Sequence, residues 1–374
     1  MSSSDRRPAS SPLSVLVVDE DARERALLTA LVAGTPGFHV IADVATGYQA
    51  IRAVHELNPD VVTLDLEGGP GDRGLEVLAW ITNEAPRPVI ILSQQALALP
   101  HAVLGAVDFA AIEFVVKPVG RADDDVAILR RRLGAALEAA ANTRIGGLRM
   151  DRAKLAAARA SRAARRATRA TGDDAAGPPA TCVVAIAAST GGPRALLHVV
   201  PRLPADLPAA VLVVQHMPAG FTRLLAERLD RTSALRAREA ISGETLKASV
   251  VYLAPGGLHM SLQRAASGVS ILLEDSEPVW GIRPAADVLF GAVARHFGPC
   301  SMGVVLTGMG RDGAAGLRAI AEVGGWTAVQ DETTAIIASM PRAAAEFAAR
   351  AIPLDQMARA LANQANRLAR AAAD

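Results

Sequence analysis

The chain has only two cysteines in 374 residues, Cys182 and Cys300. They are too few for a disulfide framework and lack metal-ligand spacing, so both are expected as reduced core residues. Charge of one sign is missing as well: 39 Lys and Arg stand against 38 Asp and Glu, for a formal net charge of +1. That balance gives no electrostatic case for nucleic acid or an anionic membrane as the main partner. No stretch approaches the roughly 20 apolar residues that span a bilayer, which excludes direct membrane insertion by a helix. The opening MSSSDRRPASSPL has no apolar signal core, so residues 1–12 read as a disordered tail and a cytoplasmic location is expected. What remains, 51% apolar and 21% charged, describes an ordinary globular protein long enough for two domains.

Across residues 13–141, the apolar strands LSVLVV, FHVIADV, DVVTLDL, PVIILS and AIEFVVKP alternate with helix-compatible segments. Five such units predict a doubly wound parallel sheet. Asp19, Glu20 and Asp21 follow the first strand, Asp65 ends the third, Ser93 ends the fourth and Lys117 follows the fifth. Asp19 to Asp21 alone would read as turn and N-cap acids. Neighbouring strands, however, bring Asp65 toward them, and the resulting repulsion calls for a hard cation. Carboxylate oxygens with retained waters suit Mg²⁺. A carboxylate can also attack a phosphoryl group, whose oxygens Lys117 would neutralise.

Residues 142–180 are Ala/Arg-rich, show no strand pattern and end in Gly-Pro-Pro, which reads as a linker. Residues 144–170 hold nine Lys or Arg and one Asp. With no aromatics for base stacking, the run is expected to be a solvated helix or tether, with docking to an acidic partner as its second use.

In residues 181–374 three apolar strands end in complementary groups. TCVVAIAASTGG delivers Ser189 into a Gly-rich turn opening a helix, AVLVVQHMP ends at His216, and SMGVVLTGMGRDG leads to Asp312. In a doubly wound sheet such strand ends share one edge. A nucleophilic Ser189, a base His216 and an orienting Asp312 then form a triad, which is recognised by geometry rather than chain order. Backbone N–H groups at Thr190, Gly191, Gly192 and Met309 are the candidates for stabilising an oxyanion or lining the substrate. Singly, Ser189 and Asp312 would read as helix N-caps. No His/Cys/Asp/Glu cluster in this half has the spacing of a metal hydrolase, so no cofactor is expected for it.

The segments IAASTGG, QHMPAGFTRLLAERLD, YLAPGGLHM, IRPAADVLF and LTGMGRDGAAGL, in this order, resemble the catalytic domain of the CheB family of chemotaxis methylesterases. The first half is similar to a response-regulator receiver, the domain such proteins carry at their N-terminus. The resemblance implies a triad of Ser189, His216 and Asp312 acting on glutamyl methyl esters of chemoreceptors, with deamidation of certain glutamines. It implies Asp65 as phosphoacceptor, Asp19 and Glu20 as Mg²⁺-site acids, Ser93 as the switch hydroxyl, and Lys117 as the receiver lysine. A CheA-type histidine kinase would be the phosphodonor, and phosphorylation would relieve the receiver's cover over the esterase cleft.

Three departures from the family pattern stand out: Ala187 in place of a glycine, ASMP at residues 338–341, and the glycine-rich LEGGPGDRG after Asp65; Val115, where many receivers carry an aromatic, fits the CheB type. His259, Arg283 and Asp287 are expected to be structural or cleft-shaping. Residues 355–374 read as an amphipathic helix packed on the second domain. Two rivals remain at this stage: the same esterase serving a receptor pathway unrelated to motility, and a signalling scaffold with a degenerate hydrolase half.

Overall fold

The computed structural model describes residues 12–66, 73–93, 113–118, 123–141, 178–217, 219–266 and 268–371. The expected tail, the loop after Asp65 and most of the expected linker lie outside them. The chain divides into two compact units, residues 1–150 and 151–374.

The first unit has the five-stranded sheet expected of it. Strands β1 (Leu13–Val18), β2 (Phe38–Val44), β3 (Val61–Asp65), β4 (Val89–Ser93) and β5 (Glu113–Val116) lie in the order β2-β1-β3-β4-β5. All four pairings are parallel. Helices α1 (Ala22–Ala33), α2 (Gly47–Leu57), α3 (Arg73–Glu84) and α4 (Asp123–Ala141) connect or follow them. β3 and β4 are apolar almost throughout because helices cover both faces of a parallel sheet. Helix starts carry their own signals: Asp21 accepts from the Arg23 and Glu24 N–H groups, and Thr46 with Gln49 forms a capping box.

The second unit is built on seven parallel strands: β6 (Val183–Ala188), β7 (Ala210–Gln215), β8 (Arg236–Glu239), β9 (Val250–Leu253), β12 (Ser301–Val305), β13 (Trp326–Gln330) and β14 (Arg350–Ile352). Their order is β14-β13-β12-β6-β7-β9-β8. β6, the first strand in sequence, therefore lies inside the sheet between β12 and β7. That is the topological switch point where open α/β sheets leave a crevice at their carboxyl edge. Successive residues of β6 enter opposite cores: Val184, Ile186 and Ala188 one, Val183, Ala185 and Ala187 the other.

The first core is closed by helices α5 (Gly192–Val199), α6 (Phe221–Thr232) and α10 (Leu354–Ala371). The second is closed by α7 (Ala286–Phe297), α8 (Ala314–Glu322) and α9 (Ser339–Ala344). An antiparallel hairpin, β10 (His259–Ala265) and β11 (Gly268–Glu274), also covers it; sequence reading did not anticipate that element. The amphipathic C-terminal helix is present as α10, which buries Met357, Leu361 and Ala365. Cys182 belongs to the core as expected, whereas Cys300 is only half-buried; both are free. Burial pushes the Cys182 thiol up to about 11, which leaves it protonated and unreactive at neutral pH.

Helices α7 and α8 cross closely at Gly316, where an added Cβ would collide with Phe290 and stand 3.1 Å from the Asp287 Cα. Gly316→Ala is expected to cost about 1–3 kcal/mol through overpacking, read as a lower urea midpoint of the second unit. An unchanged midpoint would show that the crossing has slack.

Candidate active site and phosphoacceptor site

Three adjacent strands deliver the candidate triad. Ala188 pairs with Gln215 across β6 and β7, and Val305 pairs with Ala187 across β12 and β6. The His216 N–H donates to Ala188 O at 3.0 Å and the Ser189 N–H to Thr307 O at 3.0 Å. Ser189 therefore sits between the residues that end the two neighbouring strands. His216 Nε2 and Asp312 Oδ2 are 2.7 Å apart, with side chains 10% and 2% exposed. Nδ1 is then the ring nitrogen left for Ser189. Among the described residues the structure records no hydrogen bond from Ser189 Oγ to that ring. Such bonds are often long before substrate closes the site.

Asp312 is held from a second direction. The Ala286 N–H donates to its Oδ2 at 2.6 Å and the Asp287 N–H to its Oδ1 at 3.0 Å, so the carboxylate caps the N-terminus of α7. Burial pushes the Asp312 pKa up. The bonds from His216 and from the two amides outweigh that and hold it below the ordinary carboxylate range.

Asp287 returns the arrangement by accepting from Gly313 N–H at 3.0 Å and Gly316 N–H at 2.7 Å at the start of α8. His259 is fully buried; its Nδ1 accepts from the Ala285 N–H at 3.1 Å and its Nε2 lies 3.1 Å from Glu277 O, so it anchors the approach to α7. The structural expectation for His259 and Asp287 thus acquires a specific content: both hold the element that holds Asp312. Arg283 donates to Ser276 O at 2.7 Å and pairs with Asp275, away from the triad contacts.

Gln215 is the residue that sequence reading missed. Buried at the end of β7, its Nε2 donates to Ser189 O at 2.9 Å and lies 3.4 Å from His216 O, tying Ser189 and His216 together through their carbonyls. Its Oε1 has no hydrogen-bond partner and lies where a side chain on Gly192 would have to go. On the other side of the turn Thr307 Oγ donates to Thr190 O at 3.0 Å.

The backbone N–H groups of Thr190, Gly191 and Met309 take no acceptor among the described residues, and Met309 is 40% exposed. Gly192 N–H donates to Ser189 O at 2.7 Å, so Gly192 contributes close approach rather than a donor. Gly191 needs its φ of +76° to turn the chain into α5. Gly308 is equally confined, since a Cβ there would stand 2.7 Å from Ser189 Cβ and against Met340. The ASMP segment clamps this loop from below through Met340 N–H to Gly308 O and Gly310 N–H to Ser339 Oγ, at 3.0 and 3.1 Å. The Ala187 methyl lies within β6, fully buried and facing Gly313, and does not enter the nucleophile turn.

In the first unit, Lys117 Nζ stands 3.0 Å from Asp19 Oδ2 and 3.1 Å from Asp65 Oδ2, all three side chains being buried. Burial pushes the Lys117 ammonium down, and Asp65 and Asp19 outweigh that and hold it above the ordinary lysine range. Their attraction is therefore present at neutral pH and is lost only as pH rises through that elevated value. Lys117 N–H donates to the Ser93 O at 2.9 Å, which aligns the ends of β4 and β5.

Arg25, also unforeseen, holds the turn after β1 by donating to Asp19 O at 2.8 Å. Asp21 caps α1, Glu20 is exposed and Val115 is buried. No group of three His, Cys, Asp or Glu side chains is assembled for a metal among the described residues. Two converging carboxylates nevertheless match the donor set of Mg²⁺, which binds through one or two carboxylates, waters and phosphate oxygens.

A receiver-type unit and an α/β unit with serine-hydrolase side chains at its sheet edge define a phosphorylatable hydrolase as the class. The family models agree: residues 15–132 match the response regulator receiver domain and residues 184–361 match CheB methylesterase. The chain is 40% identical over 340 residues to the protein-glutamate methylesterase/protein-glutamine glutaminase of Symbiobacterium thermophilum, covering 90% of this chain and 92% of that one. Its identity to the protein of the same name from Archaeoglobus fulgidus is 39% over 335 residues, again 90% and 92%. Among solved structures it resembles the CheB methylesterase catalytic domain of Thermotoga maritima at 38% identity, covering 49% of this chain and 98% of that one with a TM-score of 0.48. The chain belongs to the CheB methylesterase family and is a receiver-bearing hydrolase. No described helix is long and apolar enough to cross a membrane.

Two outcomes follow from the site. Gln215→Leu removes two carbonyl contacts from a buried turn and is expected to lower kcat about tenfold to a hundredfold while KM changes little, measured on a soluble ester. Because Asp312 has a lowered folded-state pKa, its stabilisation is present above its unfolded value and is lost as pH falls through the depressed one. Urea midpoints followed down through the acid range should therefore fall more steeply in the native chain than in Asp312→Asn.

Proposed function

We propose that the chain is a phosphorylation-controlled protein-glutamate methylesterase, with accompanying glutaminase activity, acting on cytoplasmic chemoreceptor segments. The observation that carries the reading is the 2.7 Å contact of His216 with a buried, amide-held Asp312 in the loop after β12, the strand beside the one that leads to Ser189. Ser189 Oγ attacks the glutamyl ester carbonyl as its proton passes to His216 Nδ1, and Asp312 stabilises the imidazolium through Nε2. The tetrahedral oxygen meets the unengaged N–H groups of Thr190 and Met309. Collapse expels methanol with the proton from His216, and ammonia leaves instead when glutamine is the substrate. Water deprotonated by His216 then cleaves the acyl-serine and frees the glutamate carboxylate.

In the receiver, Asp65 is the phosphoacceptor, with a CheA-type histidine kinase as donor. Asp19, Glu20 and Asp65 would hold Mg²⁺, which when bound neutralises charge on the phosphoryl oxygens. Lys117, within 3.1 Å of Asp65 Oδ2, is set to pair with the same oxygens, and Ser93 ends the adjacent strand as the switch hydroxyl. The chain works in the cytoplasm on this reading, and phosphorylation raises the esterase rate.

The test is methanol release from methylated chemoreceptor membranes with and without a small phosphodonor. Ser189→Ala should lower release by at least about 10⁴-fold, and Asp65→Asn should keep basal release while losing its rise with phosphodonor. Normal release from Ser189→Ala would overturn the triad. A full phosphodonor response in Asp65→Asn would overturn the phosphoacceptor.

A further inference from the structure

Beside the triad stand two side chains that the hydrolytic steps leave unused. Arg311 immediately precedes Asp312, and its guanidinium carbon lies 4.9 Å from the centroid of the Trp280 ring. Trp280 is 56% exposed, which is unusual for the largest apolar side chain. Its backbone is unusual too. Val279 and Ile282 pair across a tight turn, closed by Ile282 N–H to Val279 O at 3.0 Å, whose central residues Trp280 and Gly281 have φ of +56° and +74°. Positive φ at both positions is the pattern of a type I′ turn, which favours Asn and Gly and penalises a bulky residue. The ring is nevertheless locked, since Nε1–H donates to Asp287 Oδ2 at 2.9 Å. Strain kept at an exposed position is characteristic of sites where the side chain has a task.

The charges complete the pattern. Asp287 accepts from Gly313, Gly316 and Trp280, and Asp312 accepts from His216, Ala286 and Asp287, so the two nearest carboxylates are engaged. Arg311 is exposed, and among the described residues no carboxylate or other acceptor takes its N–H groups. A guanidinium with one face stacked on an aromatic keeps its planar edge of donors for a carboxylate, and stacking limits the ordering that binding requires.

We propose that Trp280 and Arg311 form a substrate-reading platform: it seats an acidic helical segment in which Arg311 pairs with an ionised glutamate neighbouring the esterified one. This rests on the esterase reading and deepens it. Each turnover converts a neutral ester into a carboxylate, so an ester next to an already hydrolysed position becomes the better substrate.

The test uses two helical peptides with one glutamyl γ-methyl ester each, the residue one turn away being Glu in one and Gln in the other. The native chain should prefer the Glu peptide about fivefold in kcat/KM at low salt, the upper range for an exposed ion pair, and the preference should fade with added NaCl. Arg311→Gln should bring the ratio close to one, and Arg311→Lys should retain part of it. Peptide binding to full-length Ser189→Ala, with and without Arg311→Gln, gives the same ratio without turnover. Trp280→Asn suits the turn better, so it should keep or raise the thermal midpoint while weakening binding of the Glu peptide. An unchanged ratio in Arg311→Gln, by turnover and by binding, would overturn the platform and leave the esterase intact. Failure of Ser189-dependent methanol release from both peptides would overturn the esterase reading, and the binding ratio would then decide the platform by itself.

Discussion

The candidate triad of the second unit depends on how one buried carboxylate is satisfied. Asp312 is 2% exposed, and an ionised group that deep is tolerated only when donors converge on it. His216, Ala286 and Asp287 supply three, two of them from the positive end of α7. Because Asp287 in turn caps α8, two of the helices over that face of the sheet, α7 and α8, are tied to each other through the two aspartates. Asp312 therefore cannot move without disturbing the packing around Phe290 and Gly316. This rigidity lets a single His–Asp contact orient the imidazole before substrate arrives.

The receiver solves the same problem with a different donor. Asp19 and Asp65 end adjacent parallel strands, and their repulsion is met by the buried Lys117 ammonium rather than by helix amides. An ammonium offers a point charge on a flexible stem, which can follow a phosphoryl group as it forms. Helix amides offer fixed geometry, which suits a base that must keep one orientation. The contrast accords with the two tasks proposed for these sites: one would be rebuilt by each phosphorylation, the other kept constant through each turnover.

Much of this was legible in the sequence, for a reason particular to parallel sheets. Side chains that follow apolar strands converge on one edge, so the placement of Ser189, His216 and Asp312 at one sheet edge was readable from the strand pattern, as was that of Asp19, Asp65 and Lys117 at the edge of the other sheet. Supporting residues were harder to see. Gln215 is a polar residue ending a buried strand, and its value lies in reaching a carbonyl 26 positions away. His259 stood in a recognisable segment, but its partners Ala285 and Glu277 come from other parts of the chain. The hairpin of β10 and β11 had only Gly268 as a turn signal in the sequence, with too little alternation around it to mark two strands. Trp280 carried no signal at all, because its exposure and strain exist only in the folded chain.

The central claim is that Asp312 holds His216 through Nε2 and thereby turns Nδ1 toward Ser189. Long-range ¹H–¹⁵N correlation spectra of histidine-labelled protein, assigned with His216→Gln, report the tautomer directly. The neutral ring should carry its proton on Nε2, and Asp312→Asn should shift that resonance. A neutral His216 protonated on Nδ1 would contradict the account, because the ring would then present to Ser189 a nitrogen unable to accept its proton.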